Sequence, residues 1–514
     1  MAPTADVIPP SMEQSVPLST KQAGGSNGDA STTLQAKKVN PARFLSDAVA
    51  LRPASAIRAL FPAEMIPGML SLLAGKPAPQ TFPLANISLT LKPEAESGFD
   101  AATGQPQKLE IEGEELAEAL QYGATSGPAR LVNWLTDMQV RMHGRELVKP
   151  GDKLDGVAGR SAWRVTSGVG SQDLLNKAFE ALLNPGDVIL SDSPVYTGIL
   201  PALVMLRARV VPVTSDSQGM SGDALVETMK NWDTAPATKG LPRPKCLYTT
   251  PTGANPAGTT ASDERKRQIL AVAREYDFVI LEDDPYYYIN FEGLGQDPVT
   301  RQRSRSYWSL EEEGRDVHGT GRVLRFESFS KILAAGLRLG FATGPVELLD
   351  AIDANTAVSN LQPSGVSSVV AYKILSFWGV DGFLRHADNV AAYYERKRDN
   401  FEAKAKAVLG ASGVASWVRP VAGMFLWIKL NLPPTSDREG DEGDSFALIS
   451  DKAKAAGVLA VPGMAFLPDG RQTCYVRTSF SVIREEDVEE AFVRLRNVVL
   501  DAWKEAGKEM PRLQ

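Results

Sequence analysis

"RFESFSKILAAGLRLG", residues 325–340, sets the reading of the chain. A strand-like run ends in small hydroxyl residues, among them Ser328 and Ser330. Lys331 follows at once, and Arg338 comes seven residues later. A charge set against apolar sequence is costly to desolvate. Either the ammonium sits in water at a helix start, or this amine does not stay free.

Upstream, from about residue 105 to 345, apolar β-branched runs ("WRVTSG", "DVILSD", "KCLYTTP", "DFVILEDD", "RVLRFES") alternate with helical stretches such as "LLNKAFEALL" and "ASDERKRQILAVAREY". Short strands separated by amphipathic helices predict an α/β domain with a mostly parallel sheet. After residue 346 a long helical pattern leads into "GMFLWIKL" and "CYVRTSFS", strands of a smaller α+β domain, and a terminal helix. The expected organisation is a leader over 1–38, an N-terminal arm and part of the small domain over 39–104, a large domain over 105–345 and a small domain over 346–514. Two polar stretches, 293–321 and 434–445, read as surface insertions without chemistry.

Composition narrows the function. Of 514 residues, 43% are hydrophobic and 23% charged, as in soluble globular proteins. The net charge of −7, with no basic block, leaves no electrostatic footprint for nucleic acid or an anionic membrane. No apolar run reaches membrane-spanning length. Two cysteines allow neither a disulfide framework nor a thiolate metal cage, and no metal is expected. Residues 1–38 are rich in Ser, Thr, Gly and Pro and lack a signal peptide's apolar core, so a disordered leader and a cytoplasmic location are expected. The three histidines, His143, His318 and His386, read as surface or satisfied structure.

The polar outliers fall just after strands. Ser171 and Gln172 follow "WRVTSGVG", Tyr196 follows "VILSDSPV", Asn255 lies in "TTPTGANPAG", Asp284 and Tyr287 end "FVILEDDPYY", and Lys331 ends "VLRFESFS". Ligands of an open α/β sheet bind outside the carboxyl ends of its strands. "GVGSQD" lacks the third glycine of a dinucleotide fingerprint, but amides at a helix start with Ser171 make an anion site. Asp284, after four apolar residues, reads as buried and in need of a cationic partner. A phosphate site, an amine, a buried carboxylate and a stacking ring match the demands of pyridoxal 5′-phosphate. A lysine bonded to the cofactor's aldehyde avoids the cost of a buried free ammonium.

The chain also resembles the fold-type I pyridoxal-phosphate aminotransferases, and among them the fungal aromatic and the kynurenine/2-aminoadipate aminotransferases. "SFSKILAAGLRLGF", "EDDPYYY", "NPAG", "SLLAGKPAPQTFP" and "PVAGMFLWIKL" carry the likeness. The resemblance implies Lys331 as the Schiff-base lysine, Asp284 as partner of the pyridine nitrogen, Asn255 and Tyr287 on the ring oxygen, and Tyr196 stacked on the ring. Gly170, Ser171, Gln172, Ser328, Ser330 and Arg338 would hold the phosphate. Arg477 would grip the substrate α-carboxylate, with Gly75 and Asn255 beside it and Arg58 and Ile57 on a segment over the site. Tyr122 resembles a tyrosine lent to the neighbouring subunit of a homodimer with composite sites. The "TSGVGSQ" turn is longer than the family's usual one.

The activity so implied moves the amino group of an aromatic L-amino acid to 2-oxoglutarate by a ping-pong mechanism. Its rival on the same scaffold prefers 2-aminoadipate or kynurenine as donor. A lyase or decarboxylase is opposed by Arg477, since decarboxylation expels the group being held. An aminotransferase-like regulator would need a DNA-binding module, and no helix-turn-helix pattern precedes the domain.

Overall fold

The computed structural model describes residues 39–51, 60, 63, 66–73, 75–93, 95–98, 100, 102–153 and 159–511. The expected leader, 1–38, lies outside them. Described strands in chain order are β1 (Ile87–Thr90), β2 (Lys108–Ile111), β3 (Trp163–Gly168), β4 (Val188–Ser193), β5 (Arg209–Asp216), β6 (Gly219–Met220) and β7 (Cys246–Thr249). They continue with β8 (Val279–Asp283), β9 (Val323–Ser328), β10 (Gly340–Pro345), β11 (Ala415–Trp417), β12 (Phe425–Leu430), β13 (Val461–Pro462) and β14 (Tyr475–Ser479).

Eight of them form one sheet in the order β3-β10-β9-β8-β7-β4-β5-β6. The ladder from β5 through β4, β7 and β8 to β9 is parallel. β10 runs antiparallel between β9 and β3. Every residue of β4, β7 and β8 is buried, as a parallel sheet covered on both faces requires. Two cores result. Leu190, Leu247 and Ile280 point into one, with Ile269 and Leu270 of the helix Asp263–Tyr276. Ile189, Cys246, Val279 and Leu281 point into the other, with Leu174, Leu175 and Phe179 of the helix Ser171–Leu182. The helix Asp263–Tyr276 is well specified. The Ser262 hydroxyl caps the Arg265 N–H, and Asp277 ends it in left-handed backbone.

A four-stranded antiparallel sheet, β11-β12-β14-β13, follows in the chain. The helix Val488–Glu505 packs Phe492 on Phe401 of the long helix Gly365–Ala405, ring centroids 4.8 Å apart. That long helix breaks at Gly379, whose φ of 63° is left-handed. Both sheets belong to one compact unit, tied by a bridge between Asn290 and Ala422.

One expectation is corrected here. The 293–321 stretch is not wholly a surface insertion: Tyr307, Trp308 and Leu310 are fully buried. Trp308 meets Trp163 edge-on at 5.3 Å and lies 3.5 Å under the Arg145 guanidinium. Flanking charges disguise a four-residue apolar helix, Tyr307–Leu310, whose start is capped by Ser306. By contrast, 434–445 is mostly exposed turns, held by Asp441 accepting from Ser436 and Gly443.

Candidate active site

Because β4, β7, β8 and β9 are parallel, their carboxyl ends open on one edge, and a cavity of about 360 Å³ lies there. Ser171, Gln172, Tyr196, Asn255, Ser328, Ser330, Lys331, Arg338 and Arg477 all line it. Nine of the side chains singled out in the sequence are thus brought together. Lys331 stands three residues beyond β9. Burial and the Arg338 guanidinium lower its pKa, which favours a free amine able to act as nucleophile or base.

At one end of the cavity the helix Ser171–Leu182 begins with its N-cap at Gly170, which offers no side-chain cap. The backbone there has φ 82° and ψ 165°, a region open to glycine. A Cβ at Gly170 would stand 2.7 Å from Arg338 Nη2, and one at Gly340 would stand 2.6 Å from the Ser171 nitrogen. Arg338 donates to the Ser330 hydroxyl (3.2 Å) and the Ala335 carbonyl (3.2 Å). Helix amides, hydroxyls and a guanidinium therefore converge where an anion is favoured. Gln172 turns its Nε2 to Asn176 and Gly198, both at 3.0 Å.

Asp284 and Tyr287 are not part of this cavity. Alternation along β8 sends Glu282 and Asp284 to one face and Asp283 to the other. Asp284 joins a buried ion cluster in which Arg325 Nη1 lies 3.0 Å from both Asp284 and Glu282, and Arg325 Nε lies 2.9 Å from Glu327. Tyr287 lies under the same guanidinium at 4.6 Å. In their stead Asp283 and Tyr286 line the cavity. The buried Tyr248 hydroxyl donates to Asp283 Oδ2 at 2.6 Å, and Asp283 Oδ1 is buried with no partner among the described residues. Burial pushes the Asp283 carboxyl up to about 7. Burial and Asp283 also raise the phenol of Tyr286.

The second sheet supplies the remaining wall. Arg477 on β14 donates to Asn255 Oδ1 at 3.0 Å and lies 4.6 Å over Phe425 and 5.1 Å from the Phe466 ring. Thr250 and Phe425, which the sequence did not single out, also line the cavity. Tyr122 lies in a separate groove with Pro77, Gln121 and Gln362 and is exposed. Gly75 is exposed, with open space around its Cα, and does not reach the cavity. Arg58 and Ile57 lie outside the described residues. The structural reading of two histidines fits. His143 Nδ1 pairs with Ser306, and His386 stacks on Trp378 while its Nε2 meets the Ile332 carbonyl.

An amine at a strand end beside an anion cradle and an orphaned carboxylate, on a mostly parallel sheet, defines a fold-type I pyridoxal-phosphate enzyme. The chain belongs to the aminotransferase class I and II family, whose model matches residues 120–495. It is a pyridoxal-phosphate-dependent transaminase. It is 41% identical to aminotransferase tdiD of Emericella nidulans, over 90% of this chain and 96% of that one. It is 35% identical to the mitochondrial kynurenine/alpha-aminoadipate aminotransferase of Bos taurus, over 90% of this chain and all (100%) of that one. The fold matches the crystal structure of the aromatic aminotransferase Aro9 from C. albicans with TM-score 0.77 and 28% identity, covering 91% of this chain and 100% of that one.

The residues present fit the cofactor. Asp283 Oδ1, buried without a partner among the described residues, would suit a protonated ring nitrogen. A Cβ at Gly170 would crowd Arg338 Nη2, so the glycine lets the guanidinium lie against the helix start.

Proposed function

We propose that the protein transfers the amino group of an aromatic L-amino acid to 2-oxoglutarate. The observation that carries the aromatic reading is the ring-lined wall around Arg477. Phe425 and Phe466 flank its guanidinium, and Lys331, Arg338 and Arg477 are the only described cations in the cavity. Arg338 serves the phosphate end and Arg477 takes the α-carboxylate as a bidentate fork. Among the described residues no cation is then left facing the substrate side chain, which suits a ring, and only the acceptor calls for a further one.

The bound cofactor supplies an aldehyde for capturing amines and an electron sink for the substrate Cα. Around it we assign the roles as follows. Lys331 Nζ holds the cofactor and, once released, takes the proton from the substrate Cα. Asp283 holds a proton on the ring nitrogen, and Tyr248 orients Asp283. Asn255 and Tyr286 donate to the ring oxygen, and Tyr196 covers the ring. Ser171, Gln172, Ser328, Ser330 and Arg338, with the backbone at Gly170, hold the phosphate. The acceptor's distal carboxylate needs a further cation, and Arg58 is proposed for it.

A second reading, with 2-aminoadipate or kynurenine as donor, is supported by the likeness to the bovine enzyme along its whole length. We further propose a homodimer. Leu70 and Leu72 are almost wholly exposed and Ile66 and Met69 about half so, an apolar run that a partner copy would cover. A cytoplasmic location is proposed on the two free, buried cysteines, which fit a reducing compartment.

The deciding experiment assays a panel of amino donors against 2-oxoglutarate, ranked by kcat/KM. Phenylalanine, tyrosine and tryptophan should lead. Ranking 2-aminoadipate or kynurenine first by tenfold or more would transfer the assignment to the second reading. Borohydride reduction should fix the cofactor on Lys331, and trapping on another lysine would remove that residue from the role.

A further inference from the structure

Behind the active site lies a second cavity, of about 580 Å³, that shares no lining residue with the first. It is built from the end of the helix Ala129–His143, the 299–309 segment, Tyr287 and Leu384. Its lining includes Arg141, Arg301, Arg303 and Arg305 and, among the described residues, no carboxylate. In a chain of net charge −7 this concentration of guanidinium groups stands out.

The counter-charges are too few. Arg301 and Arg303 both donate to the same oxygen, Asp388 Oδ1, at 2.8 and 2.7 Å. Their side chains are 0% and 3% exposed, and the Nε of each is buried without a partner among the described residues. Two buried cations on one carboxylate leave an uncompensated positive charge, which a protein interior accommodates poorly. Burial and the neighbouring Arg303 guanidinium lower the pKa of Arg301. Arg305 pairs with Glu313, which also serves Arg267, and Arg141 pairs with Asp381 at the half-exposed mouth. Those five guanidiniums therefore face three directly paired carboxylates, with Glu395, itself paired with Arg398, acting on Arg301 from further off.

From this we infer that the cavity is a binding site for a small multivalent oxyanion, a phosphate ester or a compound with two carboxylates. The Nη atoms of Arg301 and Arg303 are taken by Asp388 and by the carbonyls of Asn290, Glu292 and Pro298, so the buried, unpartnered Nε of each is the donor left for such a group, and the volume is in the range of small-molecule sites. Tyr287 in its wall follows directly on Tyr286 of the active site, so an occupant would rest against the turn that carries Tyr286.

The test uses the cofactor-loaded enzyme, so that the cofactor's own phosphate site is filled. Inorganic phosphate, and separately succinate, are titrated calorimetrically at fixed ionic strength against a chloride control, the succinate titration being repeated on Arg477→Gln so that binding in the substrate's carboxylate site is subtracted. Saturable binding of at least one of them is expected at one site per chain. Gln302→Glu places a negative charge at the exposed rim and removes no structural contact; it should weaken that binding at least tenfold. Arg303→Gln should do the same, and should its loss of the Asp388 contact prevent folding, Gln302→Glu alone decides. The preference between the two anions names the ligand class. No saturable binding of either anion beyond chloride, or binding that Gln302→Glu leaves unchanged, overturns the assignment.

Discussion

At the scale of the residue, the consequential choice is between two adjacent carboxylates. Asp283 and Asp284 differ only in which face of β8 they leave from, yet one lines the cavity and the other neutralises Arg325. Replacing each by asparagine should separate their functions. In Asp283→Asn the Tyr248 hydrogen bond can persist but the negative charge is gone, so kcat should fall about a hundredfold, roughly 3 kcal/mol of lost transition-state stabilisation. Asp284→Asn should keep kcat within a few-fold and instead lower the melting temperature. Arg325 retains Glu282 and Glu327, so that loss is about 1–3 kcal/mol rather than that of an orphaned charge. Steady-state kinetics and thermal melts of the two variants check this, and the reverse pattern would return the role to Asp284. Asp283 also predicts a pH dependence of the apoenzyme. Its folded pKa, about 7, lies above the ordinary 3.8. A raised acid favours folding while protonated, so its contribution is fully present below about 4 and is lost as pH rises through about 7. The full span is worth up to about 4 kcal/mol. Melts of the apoenzyme between pH 4 and 8 should show Asp283→Asn flattening that decline. Asp192, whose burial likewise raises it to about 7, leaves part of the slope in the variant.

At the scale of the element, the cavity is made by strand ends and one helix start, and this explains what the sequence disclosed. Parallel strands put Ser171, Tyr196, Asn255 and Lys331 on one rim, and each was legible because it falls in the short stretch that follows an apolar run. The face each side chain takes was harder to read where two like residues adjoin. "VILEDDPYYY" offers two aspartates and three tyrosines, and apolarity cannot set the register because β8 is buried on both faces. Counting alternation from the neighbouring cores, with Val279 and Leu281 on one side and Ile280 on the other, does identify Asp283. The buried half of 293–321 was hidden for another reason: its four-residue apolar helix is shorter than a helical period can reveal. The helix start also yields a prediction. Gly170→Ala must place a Cβ at φ 82° and 2.7 Å from Arg338 Nη2. The guanidinium can swing aside, so the fold should survive, but the anion cradle loses its geometry. The affinity of the apoenzyme for the cofactor, followed by absorbance titration, should fall tenfold or more, while backbone strain costs the apoenzyme about 1–3 kcal/mol of stability, seen as a lower melting temperature. Unchanged cofactor affinity would place the phosphate elsewhere.

At the scale of the whole molecule, the described chain leaves two features unsatisfied by itself. The apolar run through Leu70 and Leu72 faces solvent, and Tyr122 stands exposed in a groove that does not join the active-site cavity. An isolated monomer gains nothing from either arrangement. A pair of chains related by a twofold axis would cover the run and carry each Tyr122 toward the other's site, because a twofold interface presents the same patch on both partners. The proposal has a consequence that a single-chain role for Tyr122 lacks. Tyr122→Ala and Lys331→Ala should each be impaired as purified homodimers. When the two are unfolded together and refolded as a mixture, about half of the dimers are mixed. Each mixed dimer then has one site with an intact Lys331 from one chain and an intact Tyr122 from the other, and its second site lacks both. Activity should therefore return to roughly a quarter of the wild-type level, scaling with the fraction of mixed dimers measured by differential tagging. If mixed dimers form and activity stays at the level of the parents, Tyr122 acts within its own chain or has no part in the site. If the protein sediments as a monomer at micromolar concentration, the composite site is excluded altogether.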